Sequence, residues 1–255
     1  MKYKLIVSTV FLVLIISFVT NFAQDASKPV RLMVMQDVVH PYKVAEYEKA
    51  QKEMNEFITK NNFGFSWEVF RADDYTYHYV IPFSNFADLD RLFKMWDEKN
   101  KAANQEDLAK HIIAFTGTID HTNTIIVKKS EYSYVAKTPY LKQDEAKFIH
   151  WDYFEILPGK EHEAWSLVSD YKKLCEKLNI NVSHNVWSLE FGEHNSTIIF
   201  TTWAKDAVDF YTMNKKSNEQ MMKDGSDLYS KFMACVSRFH HVNGRYEKDL
   251  SIKPQ

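Results

Sequence analysis

Cysteine is scarce in this chain. Its 255 residues include only Cys175 and Cys235, and neither belongs to a CxxC pair. Both lie in the second half of the chain, so the fold of the first half cannot depend on a disulfide. Each falls on the apolar face of a predicted helix, where a free cysteine behaves as a small buried hydrophobe. We expect two buried thiols, and the alternative is one disulfide, which an oxidising compartment would permit.

The chain also lacks an excess of charge of either sign. Lys and Arg together number 32 and Asp and Glu number 34, a formal net charge of −2. Proteins that bind the phosphates of nucleic acids need a basic face, so we expect no nucleic-acid partner. No apolar run after residue 23 is long enough to span a bilayer, so beyond that point we expect no membrane partner either.

Several widespread catalytic and nucleotide-binding motifs are absent. The sequence contains no GxSxG, no GxGxxG and no P-loop. Glu161-His162-Glu163 resembles the beginning of a zinc-binding HExxH helix, but Ser166 stands where the second histidine is required. The sequence therefore predicts no metal site, and it assigns no cofactor.

The N-terminus has the three parts of a secretory signal peptide. Lys2 and Lys4 precede an apolar run over residues 5–19, and small residues follow. This run is shorter than the about 20 residues of a transmembrane helix. We predict a signal peptide over residues 1–23, cleaved after Ala23 or alternatively after Ala26, and export to the periplasm or the medium. The alternative is an uncleaved signal anchor.

A duplication accounts for most of the remaining sequence. At an offset of 120 residues, His121-Thr122-Asn123 falls on His241-Val242-Asn243 and Trp67 falls on Trp187. A repeat of this length indicates a duplicated domain, because solenoid units repeat every 20–50 residues or so. We predict one repeat over residues 29–135, a linker over residues 136–145 and a second repeat over residues 146–250.

Both repeats predict the element order β-α-β-β-α-β. In the first, residues 30–39 form a strand, a helical stripe follows from Tyr47 to Ile58, and residues 63–70 and 75–83 form an aromatic hairpin. Helical segments from Phe86 to Ile119 and a strand over residues 122–129 complete it. In the second, the strands are predicted at residues 148–156, 182–190, 197–203 and 242–247. Helices are predicted around residues 167–178, from Ala207, and over residues 227–239.

This order is the ferredoxin-like arrangement, an α+β fold in which two helices cover one face of a four-stranded antiparallel sheet. The other face is bare, and its apolar side chains must be buried. We therefore predict that the two repeats pack sheet to sheet and close an intramolecular α+β barrel. Such a chain need not dimerise, although both a monomer and a homodimer are compatible with it.

With a Pro158-Gly159-Lys160 turn after the first strand of its second repeat, an aromatic hairpin and paired bare sheets, the chain resembles the dimeric α+β barrel superfamily. Antibiotic-biosynthesis-monooxygenase-like and NIPSNAP-like domains are nearest in pattern, and the resemblance covers nearly all of the chain after residue 23. It implies the fold, and it brings in cofactor-independent monooxygenases, haem-degrading enzymes and haem peroxidases as possible functions.

The haem-degrading relatives carry an Asn-Trp-His set that this chain does not reproduce. The roughly matching positions hold other residue types, namely Asp152, Tyr211 and Met221 in the second repeat and Gln36, Arg91 and Lys101 in the first. The departure argues against haem degradation.

His121 and His241 form the sharpest candidate pair, because both stand at the entrance of the last strand of their repeat. Near a pseudo-twofold axis, two imidazoles could share a ligand or a metal, with His240 as a third nitrogen ligand. The alternative, which we favour, is that each imidazole hydrogen-bonds locally, since two histidines make an incomplete zinc site.

Aromatic residues make up 15% of the chain, and several fall on predicted sheet strands. The candidates for a cavity lining are Trp67, Trp187, Tyr77, Tyr79, Trp151 and Tyr153. As plain core residues, each would bury about 150–250 Å² and anchor the two sheets without a ligand. His78 and His184 also lie in the hairpin strands. They could face the cavity, but we favour satisfied core histidines.

The function that the sequence favours is the binding of a small apolar or aromatic ligand between the two sheets. The first alternative is a monooxygenase-like or haem-related enzyme. The second is a protein-interaction module without a pocket.

Overall fold

The computed structural model describes residues 30–64, 66–142, 145–192 and 196–253. The predicted signal peptide lies outside these residues. Across the described ranges, no helix combines the length and the apolarity that crossing a membrane requires. The elements, in chain order, are β1 (Arg31–Val39), α1 (Val44–Lys60), β2 (Glu68–Ala72), β3 (Thr76–Phe83), α2 (Phe86–Ala102), α3 (Gln105–Ile113), β4 (Ile119–Lys128), β5 (Phe148–Ile156), α4 (Glu161–Leu178), β6 (His184–Phe191), β7 (Thr197–Ala204), α5 (Ala207–Met233) and β8 (Val236–Tyr246).

The eight strands form one closed antiparallel barrel in the order β1-β3-β2-β8-β5-β7-β6-β4. Each repeat contributes a ferredoxin-like sheet, β4-β1-β3-β2 from the first and β8-β5-β7-β6 from the second. The sheets join at two ladders, where Phe70 pairs with Tyr246 and Ile126 pairs with Leu189. The predicted fold class, two ferredoxin-like repeats closed into an intramolecular α+β barrel, is confirmed.

Strand alternation divides the side chains between the barrel interior and the helix-covered outside. Leu32, Val34 and Phe70 point inward together with the odd-numbered residues of β5, β6 and β7. The outward residues of the first repeat pack beneath α1, α2 and α3 around Tyr47 and Tyr77. In the second repeat, α4 and α5 cover the outer clusters, which include both cysteines. Cys175 and Cys235 are free and buried, as expected for two thiols.

The helix boundaries follow from local capping groups. Asn85 and Asp88 form a capping box at the start of α2, and the Asn104 side chain accepts hydrogen bonds from two backbone N–H groups at the start of α3. The helical segments predicted from Phe86 to Ile119 are therefore two helices that are separated at residues 103–104. The second helix ends at Ile113, and Ile119 belongs to β4.

The end of the second repeat departs further from the prediction. A single helix, α5, runs without a break to Met233, and Phe239 lies in β8 rather than in a helix. Phe232, Cys235 and Phe239 have helical spacing, but residues from Val236 onward pair with β5 along its whole length, with one bulge at Ser237. The conformation of such a segment depends on the strands with which it can pair, and the spacing of residues in the sequence gives no information about those partners.

The predicted equivalence of Trp67 and Trp187 is wrong. Trp187 of β6 pairs with Ile199 of β7. In the first repeat, the residue at the corresponding position of the β2–β3 ladder is Ala72 and not Trp67. The β2–β3 turn is short, whereas the β6–β7 connection is longer, so a constant offset of 120 residues does not hold across the hairpins. The segment around Ala136, predicted as part of a linker, is anchored, since Ala136 is buried and its N–H donates to Ser183 Oγ.

Candidate functional site

A cavity of about 1840 Å³ lies between the two sheets. Eight-stranded barrels commonly have room for packed side chains or one small ligand, and ligand pockets measure roughly 300–1,000 Å³. This cavity therefore has room for a ligand beside its aromatic walls. Its apolar lining comes from inward residues of both sheets, including Leu32, Val34, Phe70, Ile126, Ile149, Trp151, Trp187, Ile199 and Trp203.

Trp151 holds a fixed position in the wall. Its ring lies over Gly244, where a Cβ would overlap Trp151 Cζ3 and lie only 2.8 Å from Cη2. The edge of the ring faces Phe70 at a centroid distance of 5.9 Å. A glycine on the neighbouring strand thus creates the space that this indole occupies.

His78 is a deeply buried polar residue of the cavity lining. It is 4% exposed, and its ring stacks on Trp151 from the opposite sheet at 5.2 Å. Nδ1 lies 3.2 Å from Gln36 Nε2, which fixes the ring orientation, while Nε2 is buried and has no hydrogen-bond partner in the part of the chain that the structure describes. Burial lowers the pKa of His78 to about 4, with a smaller opposing effect of Asp74. At neutral pH the imidazole is therefore uncharged, and Nε2 can bond to a ligand.

Tyr153 and His240 add a second polar pair to the lining. Their rings stack in parallel at 4.7 Å on neighbouring strands. Burial raises the pKa of the Tyr153 phenol, and the nearby Asp74 carboxylate raises it further. The phenol thus keeps its proton at neutral pH and is a hydrogen-bond donor.

The structure separates the predicted lining residues into two groups. Trp151, Tyr153 and Trp187 line the cavity, and Trp67 borders it while its Nε1 donates to the Leu250 carbonyl at 3.0 Å. The remaining four candidates, Tyr77, Tyr79, His121 and His241, face outward, because odd-numbered residues of β3, β4 and β8 point away from the interior.

The two histidines of the His-x-Asn pair do occupy equivalent register positions. His121 pairs with Asp37 of β1, and His241 pairs with Asp152 of β5. Their placement on the outer face is a correction to the shared-ligand hypothesis, since neither imidazole lines the cavity. His121 Nδ1 lies 2.6 Å from Asp37 Oδ1, which is the local hydrogen bonding that we favoured.

The polar partners of these histidines differ between the repeats. Asp37 also accepts a hydrogen bond from the buried Tyr47 hydroxyl at 2.7 Å, whereas His241 stacks on His150 at 5.3 Å. Burial lowers the pKa of His150, but hydrogen bonds with Asp152 and Asn243 outweigh it, and the net pKa is raised. The duplicated motif thus has two different local environments, and in neither does it reach the cavity.

No described group of three or more His, Cys, Asp or Glu side chains could hold a metal ion. The six positions that correspond to the haem-degrading set do not come together as that set would, although Asp152 and Met221 line one small pocket under α4 and α5. Tyr211 is half exposed on α5, Met221 is buried in an outer cluster, and Arg91 and Lys101 lie on α2. These residues do not fit a haem site of that kind.

Sequence reasoning did not select His78 and Gln36 as site residues. The sequence leaves open that His78 faces the cavity, but it favours a satisfied core histidine. The signal for its direction is strand alternation: His78 alternates with Tyr77 and Tyr79 and shares its face with Thr76 and Val80, and cross-strand pairing places it opposite Gln36. His184 faces the helices instead; burial lowers its pKa to about 4, and its Nε2 has no hydrogen-bond partner among the described residues.

No protein-family model and no curated protein sequence matches this chain. Solved structures are similar to it. An anthrone oxidase-like protein has a TM-score of 0.58 at 11% identity, with 88% of this chain and 93% of that one covered. A proposed monooxygenase from Fusobacterium nucleatum has a TM-score of 0.49 at 13% identity, with 88% of this chain and 94% of that one covered. A haem-binding protein from Thermus thermophilus has a TM-score of 0.46 at 11% identity, with 87% of this chain and 92% of that one covered. At these identities the likeness shows the fold.

Proposed function

We propose, from the premise that this chain has the dimeric α+β barrel fold with both halves in one polypeptide, that it binds a small, largely apolar or aromatic molecule between its sheets. The observation that carries the proposal is the cavity of about 1840 Å³, in whose lining the buried Nε2 of His78 has no hydrogen-bond partner among the described residues. The combination of apolar walls with a few convergent polar groups is typical of small-molecule sites.

The energetics of the cavity favour an aromatic occupant. Trp151, Trp187 and Trp203 line the cavity, and each Å² of apolar ligand surface buried against such a wall contributes about 25 cal/mol. A ligand hydroxyl or carbonyl near His78 would satisfy Nε2 directly or through water. An unsatisfied buried polar atom costs about 1–3 kcal/mol, so satisfying it adds to ligand affinity.

The similarity to the anthrone oxidase-like structure supports the same ligand class. Its name refers to anthrone, a planar tricyclic aromatic ketone, and its fold is shared over most of both chains. The similarity concerns the fold, and the extension of the ligand class to this chain is part of our proposal.

A monooxygenase-like enzyme is the second candidate function, and one arrangement favours it. His78 is neutral at neutral pH and stands beside Gln36 and across from the Tyr153 side of the cavity, so it could accept a proton from an acidic ligand C–H or O–H. A general base works best with a pKa near the operating pH, and the pKa of His78 is about 4. This mismatch makes hydrogen bonding the better-supported role, so we place binding first. The open cavity also weakens the alternative of an interaction module without a pocket.

A cavity-filling variant tests the binding proposal. The probes are 9-anthracenemethanol and 9-anthracenecarboxylate, titrated calorimetrically into the purified protein. We expect saturable one-to-one binding of at least one probe. Val34→Trp, which fills the interior, should weaken it at least tenfold. The control is Val208→Trp at an exposed position of α5. Absence of binding of both probes, or unchanged affinity in a folded Val34→Trp protein, would contradict the proposal.

Export is a separate proposal, supported by the basic, apolar and small-residue pattern of residues 1–23. N-terminal sequencing of the protein from its native host should find Gln24 as the first residue, or Ser27 for the alternative cleavage. An intact Met1 in the cytoplasmic fraction would contradict it.

A further inference from the structure

We infer that the cavity takes an elongated apolar acid, with its anionic group bound by Lys128 at one mouth and its apolar or aromatic body along the tryptophans. The inference rests on the proposed function and specifies its ligand class. It comes from the distribution of charge between the two ends of the barrel.

One end of the cavity, which we call the lysine mouth, is strongly basic. Its described charged residues are Lys128, Lys142, Lys147, Lys248, Lys253 and Glu68. Strand ends bring these residues together: Lys128 ends β4, Lys147 precedes β5, and Lys248 follows β8. The one carboxylate of the mouth, Glu68, lies close enough to Lys253 for electrostatic attraction. Five ammonium groups thus face one carboxylate.

The opposite end of the cavity has a different charge pattern. Its described charged lining residues are Asp74, Glu155 and Arg238, and the guanidinium of Arg238 lies 3.7 Å from Glu155. A small net negative charge therefore remains there. The two ends together orient a ligand that carries an anion at one end, because attraction at one mouth is combined with repulsion at the other.

Three carboxylates close to the lysine mouth, but outside the cavity lining, already have basic partners. Glu190 forms a two-point hydrogen-bonded pair with Arg31, at 2.6 and 3.0 Å. Glu247 lies 3.2 Å from Arg71 and 2.8 Å from Arg245. Glu145 lies 3.4 Å from Lys205 and also attracts Lys142. Lys128 takes part in none of these contacts.

Lys128 is the lysine best placed to bind that anion. It is an even-numbered residue of β4, so its side chain points inward, and it is half-buried directly across from Trp187 in the β4–β6 ladder. Burial lowers its pKa, and no ion-pair partner for it occurs among the described residues. An ammonium group removed from water without a counter-ion is unfavourable, and a ligand carboxylate would relieve that cost.

The register sets the length of the ligand. Lys128 lies beside Val30 at one end of β1, and Gln36, which contacts His78, lies six residues further along the same strand. At about 3.3 Å per residue, roughly 20 Å of strand separate the two levels. A molecule that contacts both Lys128 and the His78 level is therefore elongated, with the lysine side chain covering part of the distance.

A matched pair of probes tests this inference. 9-Anthracenecarboxylate and 9-anthracenemethanol share one ring system and differ in charge at pH 7.5, so they test the anion-binding site at Lys128 and not the full length of the ligand. We expect the wild-type protein to bind the carboxylate at least tenfold more tightly. Lys128→Met, which keeps the aliphatic stem, should reduce that preference to less than threefold. Lys49→Met on the exposed side of α1 is the control and should retain the full preference.

Ionic strength gives a second measurement that needs no variant. Raising salt from 20 to 500 mM should weaken carboxylate binding severalfold and leave alcohol binding nearly constant, because salt screens charges at a solvent-exposed mouth. Equal binding of the two probes to the wild type, or an intact preference in Lys128→Met, would overturn the inference and leave the binding proposal standing. Failure of both probes to bind would overturn both.

Discussion

At the scale of the residue, buried histidines govern how this protein responds to pH. His78 faces the cavity and His184 faces α4 and α5, and burial lowers the pKa of each to about 4. In each, one imidazole nitrogen has no hydrogen-bond partner among the described residues. A satisfied core histidine, which the sequence favoured, would have a partner for that nitrogen. The hairpin pattern places such residues on strands but does not reveal whether a partner stands opposite their second nitrogen.

Acidification should therefore destabilise the fold through these two residues. An unfolded histidine has a pKa of about 6.5, so the unfolded state binds more protons between pH 6.5 and 4. The stabilising contribution is fully present above pH 6.5 and is lost as the pH falls towards 4. We expect each histidine to account for a loss of about 2 kcal/mol of unfolding free energy between pH 7 and 5.

Urea unfolding of wild type, His78→Gln and His184→Gln at both pH values measures this loss, with exposed His162→Gln as the control. Each buried-site variant should have a smaller difference between the two pH values than the wild type. Identical pH dependence in all four proteins would show that neither buried histidine carries the effect.

At the scale of the element, the packing of the Trp151 ring of β5 against β8 depends on one glycine. Gly244 of β8 leaves the space that the Trp151 ring fills, and that ring in turn stacks on His78. Replacing Gly244 with Ala forces the indole to move. Overpacking of this kind costs about 1–3 kcal/mol, and the shift should also weaken probe binding because it disturbs the aromatic wall.

A double-mutant cycle with Trp151→Phe checks that contact. The smaller ring leaves room for the added methyl group, so Gly244→Ala should cost less in the Trp151→Phe background. Additive losses of unfolding free energy would mean that the two residues do not share the space.

Elements also show where sequence reasoning succeeds. The aromatic hairpins and β5 were predicted because strongly alternating apolar runs between turn residues indicate strands. The start of β8 was not, because Phe232, Cys235 and Phe239 fit a helical stripe equally well and only pairing with β5 decides between the two. The site was predicted in part: Trp151, Tyr153 and Trp187 line the cavity, whereas the outward direction of His121 and His241 follows from strand register.

At the scale of the whole molecule, the two repeats are joined as one folding unit. The β2–β8 and β4–β6 ladders connect them, the interior core contains residues from both, and Arg31 pairs with Glu190 across the boundary. Neither sheet can expose its inner face without losing the core. Urea unfolding should therefore proceed in one transition, with superimposable curves from tryptophan fluorescence and far-ultraviolet circular dichroism. Two separate transitions would indicate repeats that fold independently.

The measurement that tests the ligand cavity most directly is a crystal structure of the protein with 10-bromo-9-anthracenecarboxylate. Anomalous scattering locates the bromine without reference to the rest of the density. Our account predicts one bromine site inside the barrel, with the ring against Trp151 or Trp187 and the carboxylate towards Lys128. A bromine found only on the outer helices, or a barrel interior empty of probe at saturating concentration, would contradict it.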